Sequence, residues 1–217
     1  MENAQDWIIL KFGGTSVKSL ADWRVISKRI QTLRGEGKRV FVVHSALAGI
    51  SNQLEALITA AMAGQGEAEL AAIKAQHLAL AAELELEGEA VLAPFLAELT
   101  QLRAGLALTG DASPRSRARI MAQGELMATS LSAAWLNQTG LACQWLDARD
   151  LLTSRSGGPV SGYLGADCDY APDPALQDRL QGPAFDIVLT QGFIARRPDG
   201  DTALLGRGGS DTSAAYF

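Results

Sequence analysis

Three short segments rich in glycine and small hydroxyl residues hold the side chains best suited to bind an anion. The first, residues 11–16, reads Lys-Phe-Gly-Gly-Thr-Ser. Lys11 can supply a point charge to a phosphoryl group, and Gly13 and Gly14 let backbone N–H groups approach an anion, assisted by the positive end of the helix expected next. Walker A and dinucleotide-binding fingerprints are both absent. A tight strand-to-helix turn with a solvated lysine explains the same residues equally well.

The second segment, residues 45–52, follows another apolar stretch and contains Ser45 and Ser51. Small hydroxyl side chains at the end of a strand can hydrogen-bond a bound substrate. Ser51 is also well placed to cap the helix predicted to follow, because a serine at a helix N-terminus accepts a backbone N–H. The pattern leaves both roles open.

The third segment, residues 206–211, contains Arg207, Ser210 and Asp211. The guanidinium fork of Arg207 suits a carboxylate or a phosphate, and a solvated arginine in an exposed loop is an equal alternative. Asp211 can pair with Lys11 or help to cap a following helix.

Glu125 lies in a predicted helix, residues 117–137, directly after Gly124. It lies near the edge of the apolar side of that helix, so it is either solvated or available to a substrate ammonium, with Gly124 leaving room for the ligand. His44 is expected to pack at a strand end and His77 on a helix face. Neither belongs to a nucleophile triad or a metal-ligand pattern.

The elements that position these residues alternate between strands and helices. A helix is predicted over residues 21–34, and short apolar stretches predict strands at 7–12, 40–43, 142–146 and 186–192. This alternation predicts an α/β fold with a largely parallel sheet. Ligands of such sheets bind at the carboxyl ends of the strands, where the glycine-rich segments lie.

A helical insertion follows the second strand, between residues 51 and 137, and glycines divide it into about four helices. The spacing of Ile73, His77, Leu80 and Leu84 predicts an amphipathic helix there. Residues 154–174 predict an irregular excursion or a hairpin. The sequence ends in what resembles the first turns of a helix, at 212–217, so we expect a piece of a longer protein.

Composition excludes several classes of protein. The 217 residues are 47% hydrophobic and carry a formal net charge of -5, which argues against nucleic-acid and anionic-membrane surfaces. Two cysteines fit a reducing compartment rather than a disulfide scaffold. No apolar stretch approaches the roughly 18 residues of a membrane span, and the N-terminus is acidic where a signal peptide is basic. We expect a cytoplasmic globular protein.

Five motifs in order resemble aspartate kinases, within the amino-acid kinase superfamily. The resemblance spans nearly the whole chain, and its first and last motifs are the specific ones; the five comprise Lys11-Phe12-Gly13-Gly14-Thr15-Ser16-Val17, Ser45-Ala46 through Ser51-Asn52, Gly124-Glu125-Leu126-Met127, Gln191-Gly192-Phe193-Ile194, and Leu205-Gly206-Arg207-Gly208-Gly209-Ser210-Asp211. The long helical stretch resembles that of the monofunctional lysine-sensitive enzymes and of those fused to homoserine dehydrogenase.

This resemblance implies transfer of the ATP γ-phosphoryl group to the side-chain carboxylate of L-aspartate. Mg²⁺ would arrive with ATP, since the ion usually binds through substrate phosphates. The resemblance also implies a role for each motif residue: Lys11, Gly13 and Gly14 at the phosphate, Asp211 holding Lys11, Arg207 on the aspartate α-carboxylate, Glu125 on its α-ammonium, and Ser45, Ser51 and Ser210 completing the aspartate pocket. A carboxylate nucleophile is already ionised at neutral pH and needs no general base.

The chain departs from the family pattern at two residues and in its extent. Ser51 stands where the family usually has threonine, and His44 where it usually has an apolar residue. Residues 1–217 would form the amino-acid-substrate part of the kinase domain, without the nucleotide-binding half and the regulatory ACT domains. The resemblance implies a homo-oligomeric parent protein, and we expect little activity from this chain alone. The alternatives are an aspartate-binding module without catalysis and a superfamily kinase for glutamate, carbamate or a nucleoside monophosphate.

Overall fold

The central sheet has four parallel strands. The computed structural model describes residues 6–171, 173–182, 186–206 and 209–217. In those residues the sheet consists of β1 (Trp7–Phe12), β2 (Arg39–His44), β3 (Cys143–Trp145) and β4 (Ile187–Gln191), in the order β1–β2–β4–β3. Every pairing is parallel, which confirms the four predicted strands and the α/β class. The structure also contains a short antiparallel pair that was not predicted from the sequence, β5 (Ile194–Arg196) and β6 (Thr202–Leu204).

The carboxyl ends of three strands lie at the same level of the sheet. Phe12 pairs with His44, and His44 pairs with Gln191. Hydrogen bonds continue beyond these pairs, because Ser45 N–H donates to the Phe12 carbonyl (3.2 Å) and Gly192 N–H donates to the His44 carbonyl (2.9 Å). The loops after β1, β2 and β4 therefore leave the sheet side by side, at the edge where open α/β sheets bind ligands.

Both faces of the sheet are covered, which is why its strands are apolar without alternation. On β2, Val40 and Val42 pack in one hydrophobic core, with residues of the first five helices, and Phe41 and Val43 pack in the other. The helices of the described residues are α1 (Leu20–Gly35), α2 (Ile50–Met62), α3 (Glu67–Glu83), α4 (Gly88–Thr109), α5 (Pro114–Gln138), α6 (Ser161–Leu164), α7 (Pro174–Leu180) and α8 (Gly209–Tyr216).

The helical insertion consists of α2 to α5, as predicted. Gly66 (φ 103°) precedes α3 and Gly110 (φ 65°) follows α4, and both adopt the left-handed conformation that favours glycine at helix ends. The amphipathic pattern of α3 is also confirmed, since Ile73, His77 and Leu80 are buried.

Helix α4 is the one described helix that is long and apolar enough to cross a membrane, judged by length and composition. No apolar segment of this length was expected from the sequence, in which Glu98 and Arg103 interrupt the apolar residues of this helix. A helix packed on the core of a soluble protein can have the same length and composition, and α4 lies against α2, α3 and α5.

Of the two alternatives for residues 154–174, the described part forms the irregular excursion and not a two-stranded hairpin; a single antiparallel bridge joins Ser154 to Cys168, and the short α6 lies between them. The start of the last helix differs from the prediction. Helix α8 begins at Gly209, three residues before the predicted start. Ser210 and Asp211 therefore lie on the first turn of a helix rather than in the turn before it.

Gly124 has a packing role that the sequence did not predict. An added Cβ there would lie 3.0 Å from the Ala46 Cβ, 3.0 Å from the Ile50 Cγ2 and 3.1 Å from the Leu54 Cδ1. The space that glycine leaves is thus filled by the β2–α2 loop and by α2, not held open for a ligand. The expectation that Gly124 makes room for substrate is wrong.

We expect Gly124→Ala to destabilise the fold by about 1–3 kcal/mol, because the added methyl group must displace three packed side chains. Gly105→Ala is the matched control, since Gly105 lies on the exposed face of α4 and an added Cβ would have no atom within 4 Å. Its free energy of unfolding should stay the same or rise by up to about 1 kcal/mol, the helix-propensity difference. Urea unfolding followed by circular dichroism measures both; equal stabilities for the two variants would contradict the packing role of Gly124.

Candidate functional site

An ion pair joins the first and third predicted segments. The Lys11 ammonium lies 2.7 Å from Oδ1 of Asp211, which connects the end of β1 to the first turn of α8. The Asp211 side chain is 76% exposed, so the pair contributes only about 0–1 kcal/mol to stability. Of the two roles left open for Asp211, the structure supports pairing with Lys11. The contact orients the lysine at the carboxyl edge of the sheet.

Packing requires glycine at position 14 but not at position 13. A Cβ on Gly14 would lie 2.2 Å from the Ala46 carbonyl oxygen, so only glycine lets the β1 loop touch the β2 loop. A Cβ on Gly13 would meet nothing within 4 Å, and its φ of -82° suits any residue. Neither packing nor backbone conformation therefore requires glycine at 13, and the space beside it is open.

The expected contribution of a helix end to this turn is not present in the described structure. A single 3-10 turn follows Gly13, and α1 begins only at Leu20. The first N–H groups of α1 already have partners, since Asp22 N–H donates to Ser19 Oγ (3.2 Å) and Leu20 N–H to Glu83 Oε2 (3.1 Å). An anion at Gly13 would thus meet loop N–H groups rather than the α1 dipole.

A hydrogen bond between two serines joins the second and third segments. Ser45 Oγ donates to Ser210 Oγ at 2.8 Å, and both side chains are half-buried. Together with the Lys11–Asp211 pair, this bond connects all three predicted segments through side chains, the third segment contributing Ser210 and Asp211 from α8. Small hydroxyl groups and one cation lie together at this edge, which is a suitable surface for the oxygen atoms of a ligand.

Glu125 is the unusual ionisable group of the site. Its residue is only 4% exposed, and Oε1 accepts one long hydrogen bond, 3.3 Å, from Ala46 N–H. Burial raises its pKa to about 8, against a smaller opposing effect of the backbone N–H. The solvated alternative is therefore wrong, and at neutral pH the carboxyl is mostly protonated. Because no cationic side chain of the described residues contributes to this pKa, a cation brought by a ligand would stabilise the ionised form of Glu125.

Ser51 is not placed at the centre of this arrangement. It is exposed at the second position of α2, and Gly49 (φ 87°) precedes that helix with no side-chain cap. The capping role considered for Ser51 is wrong, because the left-handed glycine occupies the cap position two residues earlier. Arg207 lies outside the described residues.

His44 packs at the end of β2, as expected. It is fully buried, its ring stacks edge-on against Trp23 with centroids 5.5 Å apart, and Nδ1 lies 2.8 Å from the Ser45 carbonyl oxygen. Its Nε2 has no hydrogen-bond partner among the described residues, and burial lowers the pKa to about 4. His44 is therefore a neutral core residue adjoining Ser45. His77 is likewise buried, with Nδ1 2.8 Å from the Ile73 carbonyl oxygen.

A buried hydrogen-bonded pair, Thr129 and Gln191, was not assigned a role from the sequence. Gln191 Nε2 donates to Thr129 Oγ1 at 2.8 Å, and Thr129 Oγ1 donates to the carbonyl oxygen of Glu125 at 2.8 Å. The pair connects the end of β4 to the helical turn that carries Glu125. The signal in the sequence was a polar residue, Gln191, at the end of the mostly apolar strand β4.

The chemistry available at the edge is binding of a charged small molecule. It offers one lysine, two hydroxyl groups, backbone N–H groups beside open space at Gly13, and a buried acid. Among the described residues no three His, Cys, Asp or Glu side chains lie close enough to hold a metal ion.

Comparison with known proteins places this chain in a family. The family model described as the amino acid kinase family matches residues 6–217, and the chain belongs to that family. It is 32% identical over 211 residues to lysine-sensitive aspartokinase 3 of Escherichia coli K12, covering 97% of this chain and 45% of that protein. It is 33% identical over 208 residues to the aspartokinase of Chlamydia muridarum, covering 96% of this chain and 44% of that protein.

The fold is also similar to a solved aspartokinase. The crystal structure of E. coli aspartokinase III in complex with aspartate and ADP matches with a TM-score of 0.82 and 30% identity, covering 98% of this chain and 46% of that one. The resemblance to aspartate kinases is therefore confirmed. The chain spans a little under half the length of these relatives.

We expect the buried acid at Glu125 to make stability depend on pH. The folded carboxyl keeps its proton to about pH 8, whereas the unfolded one ionises near 4.5. Its contribution is therefore complete below pH 4.5 and is lost as pH rises through 8, with a total loss of at most about 5 kcal/mol. In urea unfolding from pH 5 to 8.5, wild type should lose stability relative to Glu125→Gln as pH increases. Glu36→Gln, at an exposed glutamate, should follow wild type; parallel curves for all three proteins would contradict the burial of an acid.

Proposed function

We propose that residues 1–217 are the amino-acid-substrate part of an aspartate kinase. The full enzyme would transfer the γ-phosphoryl group of ATP to the side-chain carboxylate of L-aspartate. The observation that carries the proposal is Glu125: a buried carboxyl that no cationic side chain of the described residues pairs with, hydrogen-bonded to the N–H of Ala46 next to Ser45, in a chain of the amino acid kinase family. The ligands in the crystal structure of E. coli aspartokinase III, aspartate and ADP, support the same assignment.

Glu125 would receive the α-ammonium of aspartate. An ammonium supplies the charge that the buried carboxylate lacks, and a desolvated ion pair of this kind is strong only when both partners are present. Arg207 would bind the α-carboxylate through its two-pronged guanidinium, and Ser45, Ser51 and Ser210 would complete the pocket. Opposite charges on Glu125 and Arg207 suit a zwitterion better than a nucleotide or carbamate.

Lys11 would neutralise the transferring phosphoryl group while Asp211 holds the lysine in place. Gly13 and Gly14 would provide N–H groups, and the open space beside Gly13 supports an approach by phosphate. A carboxylate oxygen of aspartate attacks the γ-phosphorus of ATP; the new O–P bond forms while the bond to the bridging oxygen of ADP breaks. The attacking carboxylate is already ionised, so the site needs positive charge and alignment rather than a base.

The remaining parts of the reaction would lie outside these 217 residues. The adenine and ribose of ATP would bind to a nucleotide-binding half, with ACT domains beyond it, and this chain alone would have little kinase activity. The coverage of about 45% of the E. coli relative supports this division. Mg²⁺ would enter with ATP. We propose a cytoplasmic location, which the two buried free cysteines, Cys143 and Cys168, support, and a homo-oligomeric parent protein.

Calorimetric titration of this chain with L-aspartate tests the amino-acid pocket. We expect saturable binding that Glu125→Gln and Arg207→Ala each weaken by about 1.5–3 kcal/mol, the range for hydrogen bonds to charged groups. Succinate, which lacks the ammonium, should bind weakly to wild type, and Glu125→Gln should not weaken it further. The control Glu36→Gln should bind L-aspartate like wild type.

Other outcomes identify the alternatives. Tighter binding of L-glutamate or carbamate would assign the site to a different kinase of the family. Acyl phosphate trapped by hydroxylamine from this chain and ATP, at the rate of a full-length relative, would contradict the proposed division of the protein. No binding of L-aspartate to the folded chain would contradict a preformed pocket.

Binding of L-aspartate should release protons below about pH 8. Glu125 is then mostly protonated, and an ammonium in contact with it favours the ionised form, so the carboxyl loses its proton on binding. Titrations at pH 7 in two buffers of different ionisation enthalpy should give different apparent enthalpies, and the difference should vanish in Glu125→Gln. Equal proton release by wild type and Glu125→Gln would place the ammonium elsewhere.

A further inference from the structure

The last residue of β4 and the turn that follows it, together residues 191–193, contact both helices that carry the candidate site. Gln191 reaches α5, and Gly192 and Phe193 reach the start of α8. These contacts are made by three consecutive residues whose sequence the proposed function leaves without a role. Their geometry differs on the two sides of the turn.

On the α5 side, Gln191 uses both ends of its amide. Its Oε1 accepts from the backbone N–H of Ala148 at 2.7 Å, which fixes the amide orientation, and its Nε2 donates to Thr129 Oγ1 at 2.8 Å. Thr129 Oγ1 also accepts from Trp145 Nε1 at 3.0 Å, and it donates its one proton to the Glu125 carbonyl oxygen at 2.8 Å. The hydroxyl is fully used, so the backbone of Glu125 is held at a fixed distance from the end of β4.

On the α8 side, Gly192 lies against the backbone of Ser210. A Cβ on Gly192 would lie 2.7 Å from the Ser210 Cβ and 2.9 Å from its Cα. Gly192 does not have a positive φ, so its backbone conformation does not require glycine. The close approach of α8 is the reason that glycine is needed there.

Phe193 adopts a strained turn and makes two further contacts with α8. Its φ of 71° is positive, and Ile194 N–H donates to the Gly192 carbonyl at 2.9 Å, which closes a three-residue turn that non-glycine residues rarely adopt. Phe193 N–H donates to Ser213 Oγ at 2.8 Å. A Cβ on Gly209 would lie 2.7 Å from Phe193 Cδ2, so the ring packs directly on the first residue of α8.

We propose that Gly192 is a positioning residue, which acts with Gln191 and Phe193 to set the spacing between the two sides of the site. One side is Glu125 on α5; the other is Ser210 and Asp211 on α8. This inference rests on the proposed function for the roles of those groups. Misplacement of a binding group by about 1 Å can cost a factor of ~100 in rate, so a turn that fixes this spacing controls the site without touching substrate.

Gly192→Ala tests the α8 side. The methyl group must displace the Ser210 backbone, so a crystal structure of the variant should show lengthening of the Ser45–Ser210 and Lys11–Asp211 contacts, now 2.8 and 2.7 Å. The dissociation constant for L-aspartate should rise about tenfold or more while the chain stays folded. Gly105→Ala, the exposed control, should leave both unchanged.

Thr129 variants test the α5 side and do not depend on whether Gly192→Ala folds. Thr129→Val keeps the shape and loses the hydroxyl, whereas Thr129→Ser keeps the hydroxyl. We expect Thr129→Val to weaken L-aspartate binding several-fold and to change the pH at which the Glu125 carboxyl titrates by carbon NMR. Thr129→Ser should restore wild-type values of both.

The outcomes separate the positioning inference from the proposed function. Unchanged contacts in the Gly192→Ala crystal structure, or identical titration of Glu125 in Thr129→Val and Thr129→Ser, would overturn the inference whatever the ligand. Failure of wild type to bind L-aspartate would contradict the proposed function alone, because the contact distances and the Glu125 titration are measured without ligand.

Discussion

Parallel strand pairing fixes where the candidate side chains can lie. Since Phe12, His44 and Gln191 occupy one level of the sheet, the loops that follow them leave the sheet together. Lys11 then reaches Asp211, and Ser45 reaches Ser210, across gaps that short side chains can span. A change of register would separate these pairs, because each residue along a strand moves the chain by about 3.3 Å and reverses the face of the side chain.

The second constraint is the burial of a carboxyl group. Glu125 lies on a helix whose neighbouring residues are almost all buried, and the N–H of Ala46 is the donor that faces its side chain. A buried carboxylate is costly without a cation, and none of the described residues supplies one, so the group remains neutral by keeping its proton. Under the proposed function, a ligand that brings its own positive charge would stabilise the ionised form. An ammonium compound would do so, and this preference is one that the lysine and the hydroxyl groups could not create by themselves.

The fold could be predicted from the sequence because its local signals agree with the tertiary structure. Buried parallel strands are apolar on both faces, so a short sequence such as residues 40–43 identifies a strand without further context. Glycines at helix ends marked the boundaries of α3 and α4. The capping role considered for Ser51 and the open space expected beside Gly124 were wrong, because a helix cap and a close contact depend on where a neighbouring segment lies. Gly49 occupies the cap position of α2, and side chains of α2 and of the loop before it fill the space beside Gly124.

The sequence by itself determined the α/β class, the order of the strands along the chain and the residue types of the three glycine-rich segments. It also carried the resemblance to aspartate kinases, since the order and spacing of motifs can be read from the sequence without coordinates. Only the tertiary structure decided that Glu125 is buried and protonated rather than solvated, and that residues 191–193 join α5 to α8. The physical reason is that the pKa of a group and the contacts of a turn depend on distant segments. Desolvation and close packing are properties of the assembled core, whereas strand and helix periodicity are properties of neighbours in sequence.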